Sequence, residues 1–201
     1  MNTSALPLFL LRTVMFPGGP IPLRVFEPRY LELVSDCMRN DHGFGICLAL
    51  ADSETDPNTV PAEIGTEMRI SDFTRLDDGN LGITADGVRR FRILKRWQTS
   101  AKLWMAEVEP LAEEPEAPVP ADCRVLARLL EALYDELGEP WTTREAHYND
   151  ARWVGGRLTE ILPLEPEFKQ RLLEMHDPVA RLQRLLPVVR EQQGSDGPED
   201  D

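Results

Sequence analysis

Long apolar runs, paired cysteines and an excess of positive charge are all missing from this chain of 201 residues. Each absence removes a class of protein. No stretch approaches the roughly 20 consecutive apolar residues that a membrane-spanning helix needs. The N-terminus also lacks the basic-then-apolar pattern of a secretory signal. A cytoplasmic protein with no membrane association is therefore expected. Three cysteines, an odd number without close pairing, give no disulfide framework and fit a reducing compartment. Positive charge is scarce, with 22 Lys and Arg against 35 Asp and Glu and a formal net charge of -13. The deficit is uneven: residues 1–109 carry 12 basic and 15 acidic groups (net -3), and residues 110–201 carry 10 and 20 (net -10). Phosphate backbones and anionic lipids are bound by cationic side chains that displace counterions. Nucleic acid is accordingly not expected as a partner.

Signatures of catalysis are missing as well. The sequence holds no G-x-x-x-x-G-K-[ST] phosphate loop, no H-E-x-x-H, no G-x-S-x-G and no paired C-x-x-C. Cys37, His42 and Cys47 repeat three positions of a zinc-knuckle pattern, but a structural zinc needs four ligands, and the fourth position is Val34. Cys37 lies on an apolar helical stripe and Cys47 lies between Ile46 and Leu48, so both are expected as buried thiols. His147 and His176 have no nearby Cys or His to share a metal or orient a ring. No catalytic set, metal or cofactor is expected. Glu113, Glu114 and Glu116 are expected as solvated linker residues. Arg90, Arg92 and Arg96 fall on one face of a predicted strand, opposite Phe91, Ile93 and Trp97. They form either a basic stripe able to meet RNA or an acidic peptide, or a solvated face that pairs with excess carboxylates.

What is present falls into two halves. Period-two alternation marks strands over Leu6–Leu10, Ile21–Phe26, Phe44–Leu50, Ile64–Ile70, Leu81–Ala85, Arg89–Trp97 and Trp104–Val108. Asp77-Asp78-Gly79-Asn80 and Asp86-Gly87 supply hairpin turn chemistry between them, and Asp52–Glu63 forms a polar loop. One helix starts at Pro28 and stops near Asn40, with Tyr30, Leu31, Val34, Cys37 and Met38 at helical spacing. Short strands with regular turns predict a nearly closed barrel, since closure removes exposed edges. Residues 110–120, rich in Pro, Ala and Glu, form a linker between a barrel subdomain (1–109) and a helical bundle subdomain (121–190). In the bundle the period changes to 3.6. Val125–Leu137 and Trp153–Leu162 give two helices, and Glu165-Pro166 and Asp177-Pro178 start two more. Residues 191–201 are expected as an acidic disordered tail.

Several short motifs carry a family resemblance. They are L-P-L-F at Leu6–Phe9, F-P-G at Phe16–Gly18, P-L-R at Pro22–Arg24, F-E-P-R-Y at Phe26–Tyr30, G-R-L-x-E-I-L-P-L at Gly156–Leu164 and D-P-x-x-R-L at Asp177–Leu182. Together they resemble the N-terminal substrate-binding domain of Lon proteases, in its stand-alone bacterial form without ATPase or protease domains. The resemblance implies an α+β fold, a PUA-like six-stranded pseudobarrel with one helix followed by a C-terminal helical bundle. It also implies a non-catalytic module that binds unfolded or degron-bearing polypeptide, delivering it to a separate protease, through an apolar groove between barrel and bundle. Any peptidase label would then be inherited from the longer relatives. Two rival readings are a nucleic-acid or nucleotide-binding PUA-like domain and a small hydrolase with an unrecognised site. The binding candidates are Met15 and Phe16, on an irregular loop, with Phe26, Arg29 and Tyr30 of F-E-P-R-Y. The last motif also has local work: Glu27 to cap the helix, Arg29 to pair with a carboxylate, Tyr30 to bury its ring.

Overall fold

The computed structural model describes residues 5–50 and 59–195. Six strands and five α-helices follow the chain as β1 (Ala5–Leu11), β2 (Pro20–Val25), α1 (Pro28–Asn40), β3 (Phe44–Leu48), β4 (Ile64–Arg75), β5 (Leu81–Gln98), β6 (Trp104–Pro110), α2 (Arg124–Leu137), α3 (Ala151–Ile161), α4 (Pro166–Glu174) and α5 (Pro178–Ser195). The strand order is β2-β5-β4-β3-β1-β6, and β6 pairs again with β5, which closes a mixed α+β barrel. β1 and β3 are parallel; every other pairing is antiparallel. β2 is paired on one side only, a place where the missing N–H groups of Pro20 and Pro22 cost nothing and discourage further strand addition.

Leu6, Leu8 and Leu10 of β1 pack with Cys47, Phe91 and Ala106 on one side of the strand, and Tyr30, Leu33, Val34 and Cys37 of α1 bury one helical face in a separate cluster with Phe9, Phe44, Ile46 and Met68. Tyr30 stacks on Phe9 with ring centroids 3.8 Å apart. In the second half, α2, α3, α4 and α5 enclose a core of leucines that includes Leu126, Leu130, Leu158, Leu172 and Leu182. That core does not stop at the bundle. Val14, Phe16, Leu48 and Ile64 from the barrel half belong to the same cluster, so the two halves share one apolar interior.

Four expectations are corrected. Asp86-Gly87 is not a hairpin turn: β5 runs unbroken through it for 18 residues. Glycine is needed at 87 because a Cβ there would collide with the carbonyl of Phe16, and the loop is tied to it by Gly18 N–H donating to Gly87 O at 2.8 Å and Gly87 N–H donating to Gly19 O at 2.9 Å. A register shift opposite this point, between Glu67 and Met68, lets β5 bend from one set of partners to the next. Residues 110–120 are not a free linker, since Leu111, Ala117 and Val119 pack on the shared core. Residues 191–195 are not tail but the last turn of α5, in keeping with the helix-forming Glu191, Gln192 and Gln193; residues 196–201 lie outside the described residues. So does most of the predicted Asp52–Glu63 loop, whose remainder bridges back through Pro61 to Ala49. Finally, Glu27 precedes α1 but makes no side-chain cap bond; its carboxylate holds Arg29 instead.

Candidate functional site

The strap that leaves β6, residues 111–120, crosses from barrel to bundle and is held at both ends. Leu111 N–H donates to Arg90 O at 2.9 Å, Ala151 N–H donates to Ala117 O at 2.9 Å, and Val119 N–H donates to Asn149 O at 3.0 Å. Arg152, at the start of α3, donates to Glu114 O at 3.3 Å and to the carboxylates of Asp150 and Glu116 at 2.8 and 3.2 Å. Between strap, barrel and bundle lies a groove of about 710 Å³, lined by Phe16, Val88, Arg90, Glu114, Trp153 and their neighbours.

At the base of this groove Glu114 meets two buried arginines. Arg181 of α5 grips it with both terminal nitrogens, at 2.8 and 2.5 Å, and Arg90 of β5 lies 3.2 Å away. The two guanidiniums also serve the C-terminal end of α4, where Leu173 and Met175 lie beyond the last helical hydrogen bond. Arg181 donates to Leu172 O at 3.0 Å and Met175 O at 2.8 Å; Arg90 donates to Leu173 O at 2.6 Å and Met175 O at 2.7 Å. Positive charge at a helix C-terminus is favoured by the helix dipole as well. Arg181 is fully buried and also covers the face of Phe16, 4.7 Å from its ring centroid.

A second ionic pair fixes the loop that carries Phe16. The Glu160 carboxylate on α3 accepts from Phe16 N–H at 2.6 Å and from Arg157 at 2.8 Å, while Arg157 also donates to the carbonyls of Phe16 and Pro17 at 3.3 Å. Both side chains are almost wholly buried, and Glu160 Oε2 has no hydrogen-bond partner among the described residues. Burial pushes the Glu160 carboxyl up to about 7, against the opposing pull of Arg157, Phe16 N–H and Lys169. Gly156 leaves room for the Phe16 ring on the same helix.

The sequence-predicted candidates separate into two places. Phe16 forms part of the groove wall although it is only 2% exposed; Met15 beside it is buried in the barrel core, its carbonyl accepting from Thr66 Oγ1 at 2.5 Å. Phe26, Arg29 and Tyr30 belong to the α1 flank and do not line the groove. Phe26 is 61% exposed, Arg29 pairs with Glu27 at 2.8 Å and lies over the Tyr30 ring, and the Tyr30 hydroxyl accepts from Leu10 N–H at 3.3 Å. Arg90, Arg92 and Arg96 do not make one solvated stripe, because Arg90 is buried in the Glu114 cluster and Arg96 donates to Pro61 O at 2.8 Å. Glu114, within an acidic run expected to be solvated, is instead the buried counterion. Cys37, Cys47 and Cys123 are buried, and burial raises all three thiols, that of Cys37 to about 12. His42 turns to Asp36 at 3.0 Å, and among the described residues no group of three or more His, Cys, Asp or Glu is placed to hold a metal ion.

The groove itself is less apolar than expected. Arg89, Arg90, Arg152, His147, Glu113, Glu114, Glu116 and Asp150 line it together with Phe16, Pro17, Val88, Leu111, Ala112, Ala117, Pro118 and Trp153. The larger apolar side chains at this junction are spent in the shared core, which leaves ionised groups for the walls. Among the described residues that line it there is no serine, threonine, cysteine or lysine, and its arginines are already bound to carboxylates. Such a surface is suited to holding a ligand by contact and charge.

Comparison with known proteins identifies the family. Residues 5–191 match the family described as ATP-dependent protease La (LON) substrate-binding domain. The chain belongs to the Lon substrate-binding domain family. The Lon protease of Anaeromyxobacter dehalogenans is 25% identical over 92% of this chain, and Lon protease 2 of Myxococcus xanthus is 26% identical over 92%. The chain spans about a quarter of the length of these relatives, 23% in each case. The crystal structure of a Lon N-terminal domain protein from Xanthomonas campestris superimposes with a TM-score of 0.73 at 38% identity, covering 92% of this chain and 98% of that one. The N-terminal domain of a Mycobacterium avium complex Lon protease shares the fold, with a TM-score of 0.62 at 18% identity over 92% of this chain and 97% of that one. No helix among the described residues is long and apolar enough to cross a membrane.

The ionic groups of this domain give two testable outcomes. Replacing Glu114 by Gln leaves two buried guanidiniums without their counterion and is expected to cost about 3–5 kcal/mol. The same change at exposed Glu113 is expected to stay within about 0.5 kcal/mol; urea denaturation of both variants measures the difference. Glu160 binds its proton more tightly in the folded chain, at about 7 against 4.5 for the ordinary group. Its contribution to stability is therefore full below pH 4.5 and is lost as pH rises to 7. In a pH series of unfolding midpoints, Glu160→Gln is expected to remove that decline relative to the parent.

Proposed function

We propose that the protein is a non-catalytic recognition module that holds unfolded or degron-bearing polypeptide in the groove between barrel and bundle, and that it presents such chains to a separate protease. The observation that carries the reading is the groove itself. It encloses about 710 Å³, is walled by Phe16, Val88 and Trp153, and has no serine, threonine, cysteine or lysine among its described lining residues. Membership of a substrate-binding family supports it, as do the protease names of the longer relatives. Peptide sites of this kind combine apolar seats with a few placed polar groups. The buried knot of Arg90, Glu114 and Arg181 keeps the two walls at a fixed separation, so the site is formed before the ligand arrives. Arg90 is withdrawn into that knot, which removes the basic stripe that prompted the nucleic-acid reading.

Fluorescence anisotropy with a reduced, carboxymethylated protein as the unfolded chain tests the proposal. Saturable binding is expected, and Ala112→Trp, which fills the groove from an exposed position on the strap, is expected to weaken it about tenfold or more with the thermal midpoint unchanged. No saturable binding by the parent, or full binding by the filled variant, would overturn the assignment.

A further inference from the structure

The lining of the groove distributes its charges unequally. Each of its guanidiniums already faces a carboxylate: Arg90 faces Glu114 at 3.2 Å, Arg152 faces Asp150 at 2.8 Å, and Arg89 faces Glu67 at 2.7 Å. The carboxylates are not all used in return. Glu113 is exposed on the strap and pairs with no cation among the described residues, and Glu116, with its side chain 87% exposed, has one contact, to Arg152 at 3.2 Å. What the walls still offer to an incoming chain is acceptor capacity and negative charge. The bundle half, at -10, adds a field of the same sign.

Beside these carboxylates lie an apolar seat and a donor. Val88 is 47% exposed, and Leu111, Ala112, Ala117 and Pro118 continue the surface along the strap. Trp153 packs edge-on against Tyr134 and Tyr148, with ring centroids 5.3 and 5.1 Å away, which holds its indole in place. The indole N–H has no acceptor among the described residues, and a half-buried tryptophan with a free donor is a common anchor for a peptide carbonyl.

We propose that the groove selects segments in which a large apolar residue is flanked by lysine or arginine, and rejects those flanked by aspartate or glutamate. The selection rests on the groove being the peptide site. The apolar side chain sits against Val88 and Trp153, the flanking cation meets Glu113 at the open rim, and an acidic neighbour meets uncompensated negative charge where every guanidinium already faces a carboxylate. Partner choice by complementary charge combined with repulsion of the wrong sign is a general route to specificity.

Three synthetic peptides of equal length, each with a central phenylalanine flanked by lysine, serine or glutamate, distinguish the possibilities by anisotropy at low and high salt. The lysine peptide is expected to bind about fivefold tighter than the serine peptide at low salt, with the glutamate peptide weakest, and the spread should shrink as salt rises. Glu113→Lys is expected to erase or reverse the order while the serine peptide binds as before. Equal affinities, a preference for the acidic peptide, or an order that survives Glu113→Lys would overturn the charge selection. If none of the three binds, the groove itself is not a peptide site and the proposed recognition role falls with it. Equal binding of all three that Ala112→Trp abolishes leaves that reading intact and overturns only this one.

Discussion

Glu114 enters the protein interior between two guanidiniums, one from the barrel and one from the bundle, and the rest of the architecture is arranged around keeping that carboxylate there. Taking three ionised groups out of water is costly unless every donor finds an acceptor. Here the acceptors are carbonyls at the end of α4, with Leu172, Leu173 and Met175 absorbing the donors that Glu114 does not. One cluster therefore satisfies a helix terminus, pins the strap and joins β5 to α5. Apolar contact alone could bury similar area, but it is non-directional and would not fix where the strap runs.

The groove is a consequence of that pinning. With the strap held at Glu114 and again through Arg152, a space remains between it and the wall made by Phe16, Val88 and Trp153. The Phe16 loop is prevented from closing the space by its own ties to α3, where Glu160 and Arg157 hold its backbone. Two ionic devices, one on each side, thus define a cleft whose apolar and charged surfaces are both preset. A fixed cleft at a subdomain junction suits capture of a chain that has lost its own fold, because the receptor then loses little freedom on binding.

Much of this was legible in the residues, and the failures have a common cause. α1 runs from Pro28 to Asn40 as its proline start and apolar spacing predict, and the bundle helices follow their 3.6-residue stripes. Local pattern sufficed because the information was local. Asp86-Gly87 misled because the same dipeptide serves a tight turn or a close backbone approach, and the approaching carbonyl, from Phe16, lies far away in sequence. Arg90 and Glu114 misled in the same way: alternation places a side chain on a face, but a distant helix end decides whether that face is solvent. A usable signal existed in Arg157 and Arg181, charged residues set beside Leu158 and Leu182 on buried helical stripes, where an ion has to find a partner. The mixed character of the groove had no such signal, since it depends on which apolar groups the shared core consumes.

The proposed role requires that this junction groove, rather than the α1 flank, receive a polypeptide. Titration of isotopically labelled protein with an unstructured peptide containing a single phenylalanine, followed residue by residue in ¹⁵N–¹H correlation spectra, tests it most directly. Shifts concentrated at Val88, Ala112, Ala117 and the Trp153 indole N–H are expected. Shifts concentrated instead around Phe26, Arg29 and Tyr30, with the Trp153 resonance unmoved, would contradict it.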